Sequence, residues 1–111
     1  MFQFIFFALQ GIFFGIKNER NFKIHCFGLL FMIFTAYYFH FTKLEWLVCI
    51  LSATLVLSLE LVNTAIEKSL DLLHPQKHPL VKIAKDCAAG SVLIASIAAL
   101  IIWIMIMLDK F

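Results

Sequence analysis

Glycine and proline are scarce in this sequence, with four and two residues, and charged residues make up only 14% of the 111 positions. No GxxxxGK[ST] motif occurs, and so few glycines exclude a phosphate-binding loop of the usual kind. The net charge of +2 contains no block of like charge, which argues against a nucleic-acid partner. The three cysteines, Cys26, Cys49 and Cys87, are far apart. They are expected to be small packing or lipid-facing residues, because this spacing supports neither a disulfide framework nor a CxxC metal site.

Apolar residues are abundant instead. They make up 63% of the sequence and include 13 phenylalanines. A chain of this length forms one domain at most, residues 1–111, and its core is too small to hide that much apolar surface. The composition therefore predicts an all-α integral membrane protein. The N-terminus has neither a basic region nor a small-residue cleavage site, so the apolar segments are expected to remain in the mature protein.

The first apolar stretch covers about residues 2–16. Its polar positions Gln3 and Gln10, followed by Lys17, recur every seven residues and share one face of a helix. Such a segment either lies in the membrane interface or nearly spans the bilayer, and periodicity alone leaves both open.

Three longer segments are predicted to span the membrane, at about residues 24–41, 46–72 and 84–108. A polar island at residues 17–23, a tight polar connection at residues 42–45 and a proline-containing loop at residues 73–79 separate them. In the last span, small side chains recur at every fourth position and predict a helix-packing face: Cys87, Ser91, Ala95 and Ala99.

The basic residues orient the predicted spans. Lys43 and Lys110 fall on one side of the membrane, and the other seven fall on the opposite side: Lys17, Arg20, Lys23, Lys68, Lys77, Lys82 and Lys85. The positive-inside rule then places the larger group in the cytoplasm and the C-terminus outside. We expect a multi-pass protein of the bacterial inner (cytoplasmic) membrane whose functional site faces the cytoplasm.

Four polar residues in the second span form a stripe. At 100° per residue, Glu60, Asn63, Glu67 and Asp71 occupy a sector roughly 80° wide on one helix face. Inserting a carboxylate into an apolar span costs a few kcal/mol, so Glu60 in particular requires compensation or a function. The predicted topology also brings the polar island around Glu19, this stripe and the Lys85–Asp86 pair to one membrane surface.

Carboxylates and cations at the depth of the lipid headgroups are what phosphoryl transfer to a lipid alcohol would need. In that hypothesis Glu19 and Glu67 hold the metal ion, Lys85 meets phosphate and Glu60 accepts the proton of the hydroxyl.

Structural interpretations compete with these roles. Asp71 and Asp86 have the positions of ordinary helix caps or salt-bridge partners, and the alternative role for Asn63 is to crosslink helices. His74 and His78 are separated by Pro75, which favours a loop role over metal binding. Two other classes of function also stay open: a small ion- or proton-coupled protein in which Glu60 titrates, and a purely structural three-helix assembly subunit.

A longer pattern resembles a known family. Glu60-Leu-Val-Asn63-Thr-Ala-Ile-Glu67-x-x-x-Asp71, followed by Ala84-Lys85-Asp86-x-Ala88-Ala89-Gly90, is similar to the signature of the prokaryotic diacylglycerol kinases, which are small membrane kinases. Residues 7–12, Glu19-Arg20-Asn21, His25 and His78-Pro79-Leu80 are more similar to the branch of the family that phosphorylates undecaprenol.

The resemblance implies a homotrimer of three-span subunits, each preceded by an amphipathic surface helix, with active sites shared between subunits. It implies MgATP as the phosphoryl donor and a lipid alcohol as acceptor, most directly undecaprenol, with diacylglycerol as the alternative. Glu60 would be the general base, Glu19 and Glu67 the magnesium ligands and Lys85 a phosphate contact. The remaining matched positions would support the nucleotide or the network around the metal: Asn63, Asp71, His78 and Asp86.

The chain departs from the family pattern in its first segment. Members of the family usually carry Arg or Lys in the surface helix, whereas every residue before Lys17 is uncharged here. Phosphate contacts are therefore not carried over to residues 1–16.

Overall fold

A computed structural model describes all 111 residues and consists of four α-helices. In chain order they are α1 (Phe2–Asn18), α2 (Arg20–Tyr38), α3 (Lys43–Leu73) and α4 (Pro79–Lys110). The predicted all-α fold class is confirmed.

The boundary between α1 and α2 is a single residue. Glu19 has an extended backbone, with φ −104° and ψ 113°, while the rest of the predicted polar island is helical. The island contains neither glycine nor proline, the residues that most strongly interrupt regular structure. Its polar side chains therefore leave the backbone helical on both sides of Glu19. As a result α1 runs two residues beyond the predicted end, and α2 begins four residues before the predicted span.

The connection between α2 and α3 covers residues 39–42 and lies three residues earlier than predicted, because α2 ends at Tyr38 and Lys43, Leu44 and Glu45 already belong to α3. Thr42 is the N-cap: its hydroxyl accepts a hydrogen bond from the Glu45 backbone N–H, and the Glu45 carboxylate accepts one from the Thr42 backbone N–H. This reciprocal capping box satisfies two backbone donors that a helix start leaves free. The predicted polar connection at residues 42–45 is thus wrong by three residues.

The loop between α3 and α4 covers residues 74–78, inside the segment that the prolines predict. His78 caps α4, since its Nδ1 accepts a hydrogen bond of 3.0 Å from the Leu80 backbone N–H, and Pro79 takes the first helical position. Proline is favoured there because its missing N–H would have no helical partner. The helix consequently begins five residues before the predicted span at residue 84.

Two helices, α3 with 31 residues and α4 with 32, are long and apolar enough to cross a membrane by length and composition. They contain the predicted spans 46–72 and 84–108. The predicted span 24–41 falls mostly on α2, which does not meet the same test and whose first turn carries Arg20 and Lys23. α1, the predicted surface helix, is a shorter apolar helix.

Helix packing is closest between α3 and α4, and α2 packs mainly on α3. On α4, the predicted small-residue face is partly right: Ala95 is buried and Ser91 and Ala99 are half-buried, but Cys87 is exposed. The neighbouring position Ala88 is buried instead, because the buried stripe on α4 runs through Ala88, Val92 and Ala95.

Only 15 of the 111 residues are buried in the chain, and large apolar side chains cover most of its outside. A water-soluble chain does not expose apolar surface on this scale. The surface of the helices therefore agrees with the lipid-facing surface that the composition predicts.

Candidate active site

The polar stripe on α3 becomes progressively more exposed toward the loop. Glu60 is 3% exposed and Asn63 is 6% exposed, whereas Glu67 is half-buried and Asp71 is exposed. Glu60 and Glu67 are about 10 Å apart along the helix axis. The stripe thus connects the protein interior with the polar end of the molecule.

Glu60 meets α2 at His25. The Oε2 atom of Glu60 lies 3.8 Å from the Nε2 atom of His25, and no direct hydrogen bond joins them. One turn further along α3, the Thr64 hydroxyl donates a 3.1 Å hydrogen bond to the Glu60 backbone carbonyl.

Asn63 and Glu67 lie one turn apart, and the Asn63 side-chain amide donates a 3.1 Å hydrogen bond to Glu67 Oε1. The other polar atom of Asn63, Oδ1, is buried and has no hydrogen-bond partner. A buried unpaired oxygen costs free energy, so this atom is a candidate for contact with a ligand or an ion.

Glu19 reaches the same region from the junction of α1 and α2. Its half-buried carboxylate lies 4.0 Å from the Lys68 ammonium of α3, and that ammonium lies 5.9 Å from the centre of the Phe14 ring on α1. The approach depends on Gly15, because a Cβ atom there would come within 2.9 Å of Leu61 Cδ2 on α3. A small residue on α1 therefore lets Glu19 lie beside the α3 stripe.

The other predicted residues lie at the start of α4 and its loop. Lys85 Nζ binds Asp71 Oδ1 at 2.5 Å, and Lys82 Nζ binds Asp86 Oδ2 at 2.6 Å. Lys82, Lys85, Asp86 and His78 border an open cleft of about 650 Å³, which is also lined by two prolines and one valine. Lys85 is thus paired with Asp71, the outermost residue of the stripe, and Asp86 is paired within its own helix.

The helices therefore form two groups of predicted site residues. Glu60, Asn63, Glu67 and Glu19 make up the first, and Asp71, Lys85, Asp86 and His78 the second. No cluster of three or more His, Cys, Asp or Glu side chains could hold a metal ion by itself. The asparagine and the carboxylates nevertheless supply the oxygen ligands that hard cations prefer.

Two neighbours of the first group have no role predicted from spacing. His25 interrupts the apolar run of α2, and Lys68 directly follows Glu67. His25 can be singled out from the sequence because it is a polar residue in an apolar segment. Its contact with Glu60 cannot be predicted, because Glu60 is 35 positions away and no helical period connects the two residues.

Comparison with known proteins gives the family. The model of the family described as prokaryotic diacylglycerol kinase matches residues 6–107. A diacylglycerol kinase from Synechocystis is 44% identical over 86% of this chain, and the chain spans only 55% of the length of that relative. An undecaprenol kinase from Bacillus subtilis is 37% identical over 93% of this chain and 84% of its own length. A diacylglycerol kinase from Haemophilus influenzae is 36% identical over 87% of this chain and 82% of its own length.

These matches confirm the predicted family and, with it, the predicted class of enzyme, a lipid kinase. The polar stripe of α3 and the start of α4 both fall inside the matched residues. This chain belongs to the prokaryotic diacylglycerol kinase family.

Proposed function

We propose that this chain transfers the γ-phosphoryl group of MgATP to the hydroxyl of a lipid alcohol, and that this alcohol is undecaprenol. The observation that carries the proposal is the position of Glu60, a carboxylate 3% exposed on an apolar helix and followed along the same helix by Asn63 and Glu67. Such a carboxylate requires a function or compensation, and its only close cationic candidate is a histidine at 3.8 Å.

Glu60 is the general base in this proposal. It accepts the proton of the lipid hydroxyl while the oxygen attacks the γ-phosphorus and the bond to ADP breaks. Its burial among apolar side chains suits an acceptor whose hydroxyl lies at the inner edge of the headgroup layer. Phosphoryl transfer depends mostly on positioning and charge stabilisation, so one base and a set of fixed charges are sufficient.

Glu19 and Glu67 would hold the Mg²⁺ ion. The ion commonly uses one or two protein carboxylates and completes its shell with water and substrate phosphates. Two carboxylates with the unpaired Oδ1 atom of Asn63 fit this requirement, although they form no complete protein cage. When bound, the ion would offset the negative charge of the transferred phosphoryl group.

The nucleotide would occupy the polar end of the molecule. Lys85 would contact phosphate, and Asn63, Asp71, His78, Asp86 and Glu19 would support the nucleotide or the metal-bound network. The open cleft beside α4 supports this assignment, since three lysines border it: Lys77, Lys82 and Lys85. Lysine ammonium groups suit an anionic phosphate chain.

The choice of undecaprenol rests on the relatives. The undecaprenol kinase of Bacillus subtilis matches 93% of this chain and most of its own length. The more identical Synechocystis relative carries the name diacylglycerol kinase, but the match covers 55% of it. Diacylglycerol, which would give phosphatidic acid, is therefore the runner-up substrate, and the chemistry at the site is the same.

The assembly belongs to the same proposal. We place residues 1–111 in one membrane-embedded kinase domain with three spans, α2 to α4, and with α1 on the membrane surface. The subunits would form a homotrimer with shared active sites in the bacterial inner membrane, the active sites facing the cytoplasm. The charged pairs support helices that run between two polar surfaces, since Glu19–Lys68 and Asp71–Lys85 lie at one end of the helices and Glu45–Lys110 at the other.

The test compares phosphate transfer from ATP to undecaprenol and to diacylglycerol in mixed micelles, with and without Mg²⁺. We expect Mg²⁺-dependent transfer to undecaprenol at the higher kcat/KM, and a loss of at least about a hundredfold in kcat for Glu60→Gln, in line with the contribution of a general base. Glu45→Gln is the matched control because Glu45 lies at the other end of α3, bound to Lys110. Absence of a phosphorylated product from both lipids would reject the proposed function, and faster transfer to diacylglycerol would reject the substrate.

A further inference from the structure

We propose that His25 is a further catalytic residue, which donates a hydrogen bond to the same lipid hydroxyl whose proton Glu60 accepts. This inference rests on the proposed function and adds a second contact to the acceptor. Two features of the structure carry it: the distance between the two side chains, and the apolar cleft that begins at the imidazole.

The distance between His25 Nε2 and Glu60 Oε2 is 3.8 Å. This separation is too long for a direct hydrogen bond, which requires a nitrogen–oxygen distance of roughly 2.7–3.2 Å. It is short enough for one oxygen atom to lie about 2.8 Å from both atoms, because three such distances close a triangle. The separation of the two side chains therefore matches a single hydroxyl oxygen that binds both groups.

The cleft indicates which hydroxyl this is. A cavity of about 460 Å³ lies between α2, α3 and α4, and His25 is at its polar end. The walls beyond the imidazole are mostly apolar, and they include Met32, Val56 and Trp103. α2 and α4, which flank the cleft, make few contacts of their own.

A ligand that matches this surface has one polar end and a long apolar body. Water or free phosphate would leave the apolar walls unfilled, and a nucleotide would bring charge into them. The chain of a lipid alcohol fits, with its hydroxyl between His25 and Glu60. The occupant that we propose for the cleft is therefore the chain of the acceptor lipid.

The two groups would have different tasks in the reaction. His25 donates its Nε2–H to a lone pair of the hydroxyl oxygen, which directs the O–H bond of the lipid toward Glu60. The proton then goes to the Glu60 carboxylate, the lipid oxygen forms a bond with the γ-phosphorus, and the bond from that phosphorus to the leaving ADP oxygen breaks. A correctly directed nucleophile is a large part of what an active site supplies.

Two substitutions separate hydrogen bonding from packing. His25→Gln keeps an N–H donor close to the place of Nε2, and His25→Leu keeps apolar volume without a donor. We expect His25→Leu to lower kcat/KM for undecaprenol by about tenfold or more, the effect of one lost hydrogen bond to a substrate, with KM for ATP unchanged. His25→Gln should recover most of that loss. Ser52→Ala is the control, because Ser52 lines the same cleft but donates its hydroxyl to the Cys49 carbonyl.

The outcomes are distinct. If the unsubstituted enzyme phosphorylates neither lipid, the proposed function fails. If it does so and His25→Leu retains full kcat/KM, or His25→Gln is as impaired as His25→Leu, the role of His25 is overturned.

A measurement on the unsubstituted enzyme tests the same contact even if a His25 variant fails to fold. With ¹⁵N-labelled histidine, the His25 Nε2 resonance should shift when undecaprenol binds and stay in place with the corresponding hydrocarbon, which lacks the hydroxyl and so has no oxygen to accept a hydrogen bond from Nε2–H. Identical spectra with both lipids would contradict the proposed contact.

Discussion

Lys85 Nζ lies 2.5 Å from Asp71 Oδ1, and this ion pair joins the start of α4 to the outer end of the α3 stripe. Both side chains remain substantially exposed, and exposed ion pairs contribute little to stability because water screens them. Asp71 therefore keeps Lys85 at the end of the stripe, but the ion pair is weak enough for another anion to displace it. A phosphate group, which carries more charge than a carboxylate, can compete for the same ammonium.

Lys85→Met should raise KM for ATP by about tenfold and lower kcat as well, because it removes a charge-assisted contact to phosphate. Lys110→Met is the matched control, since Lys110 lies at the opposite end of α4 and pairs with Glu45 of α3. Steady-state kinetics at varied ATP concentration would show the difference. Equal effects of the two substitutions would mean that the lysines act only through general positive charge.

Glu67→Gln should increase the Mg²⁺ concentration that gives half-maximal activity by about tenfold or more, because an amide replaces an anionic oxygen ligand of the ion. The fold should be little affected, since Gln can still accept the hydrogen bond from Asn63. Activity measured across a magnesium titration would test this. An unchanged magnesium requirement in both Glu67→Gln and Glu19→Gln would exclude these residues as ligands.

The sequence carries much of this architecture in local patterns. The α3 stripe can be predicted because helical periodicity alone brings Glu60, Asn63 and Glu67 to one face. The loop before α4 can be predicted because Pro75 and Pro79 punctuate it. Helix starts are harder: Thr42 and Glu45 look like a polar connection until the capping box joins them across three positions.

Sequence patterns do not predict which residues of different helices contact each other. His25 meets Glu60 only because α2 packs on α3, and no sequence period predicts the register of two helices. Glu19 lies beside the stripe because α1 approaches α3 at Gly15. This approach depends on how the side chains of Leu61 and Phe22 pack against Gly15. The GxxxG pair at Gly11 and Gly15 signals close packing, but the signal does not tell which glycine makes the contact.

Thr35 and Trp103 give a prediction about stability. The Trp103 indole donates a 2.9 Å hydrogen bond to Thr35 Oγ1, while the Thr35 hydroxyl donates to the Met32 carbonyl. This bond connects α2 to α4 where the two helices otherwise make few contacts. In a double-mutant cycle, Thr35→Val and Trp103→Phe should show a coupling free energy of about 0.5–1.5 kcal/mol, as interhelical hydrogen bonds in membranes do.

The measurement for this pair is reversible unfolding in detergent for the two single variants and the double variant. Phenylalanine keeps an aromatic ring next to Phe31, whose ring centre lies 5.6 Å from that of Trp103. The cycle therefore removes the hydrogen bond with little change in packing. Strictly additive effects would show that the bond does not stabilise the contact between α2 and α4.

The close approach at Gly15 links the packing of α1 to catalysis. A Cβ atom at Gly15 would lie 2.9 Å from Leu61 Cδ2 and 3.4 Å from the Phe22 ring, whereas one at Gly11 would meet nothing within 4 Å. Alanine at Gly15 is expected to be tolerated, because the end of the Leu61 side chain can move. Leucine cannot be accommodated without displacing α1, and overpacking of this kind typically costs about 1–3 kcal/mol.

Displacement of α1 moves Glu19, because the Glu19 backbone N–H is hydrogen-bonded to the Gly15 carbonyl at the end of that helix. Gly15→Leu should therefore lower kcat by about tenfold or more and raise the magnesium requirement in the same direction as Glu19→Gln. Gly11→Leu, the same change one turn earlier where no atom lies within 4 Å of the added Cβ, should keep near-normal activity. Magnesium titrations of both leucine variants beside Glu19→Gln make the comparison. Equal activity of Gly15→Leu and Gly11→Leu would show that the position of α1 does not control the metal ligand.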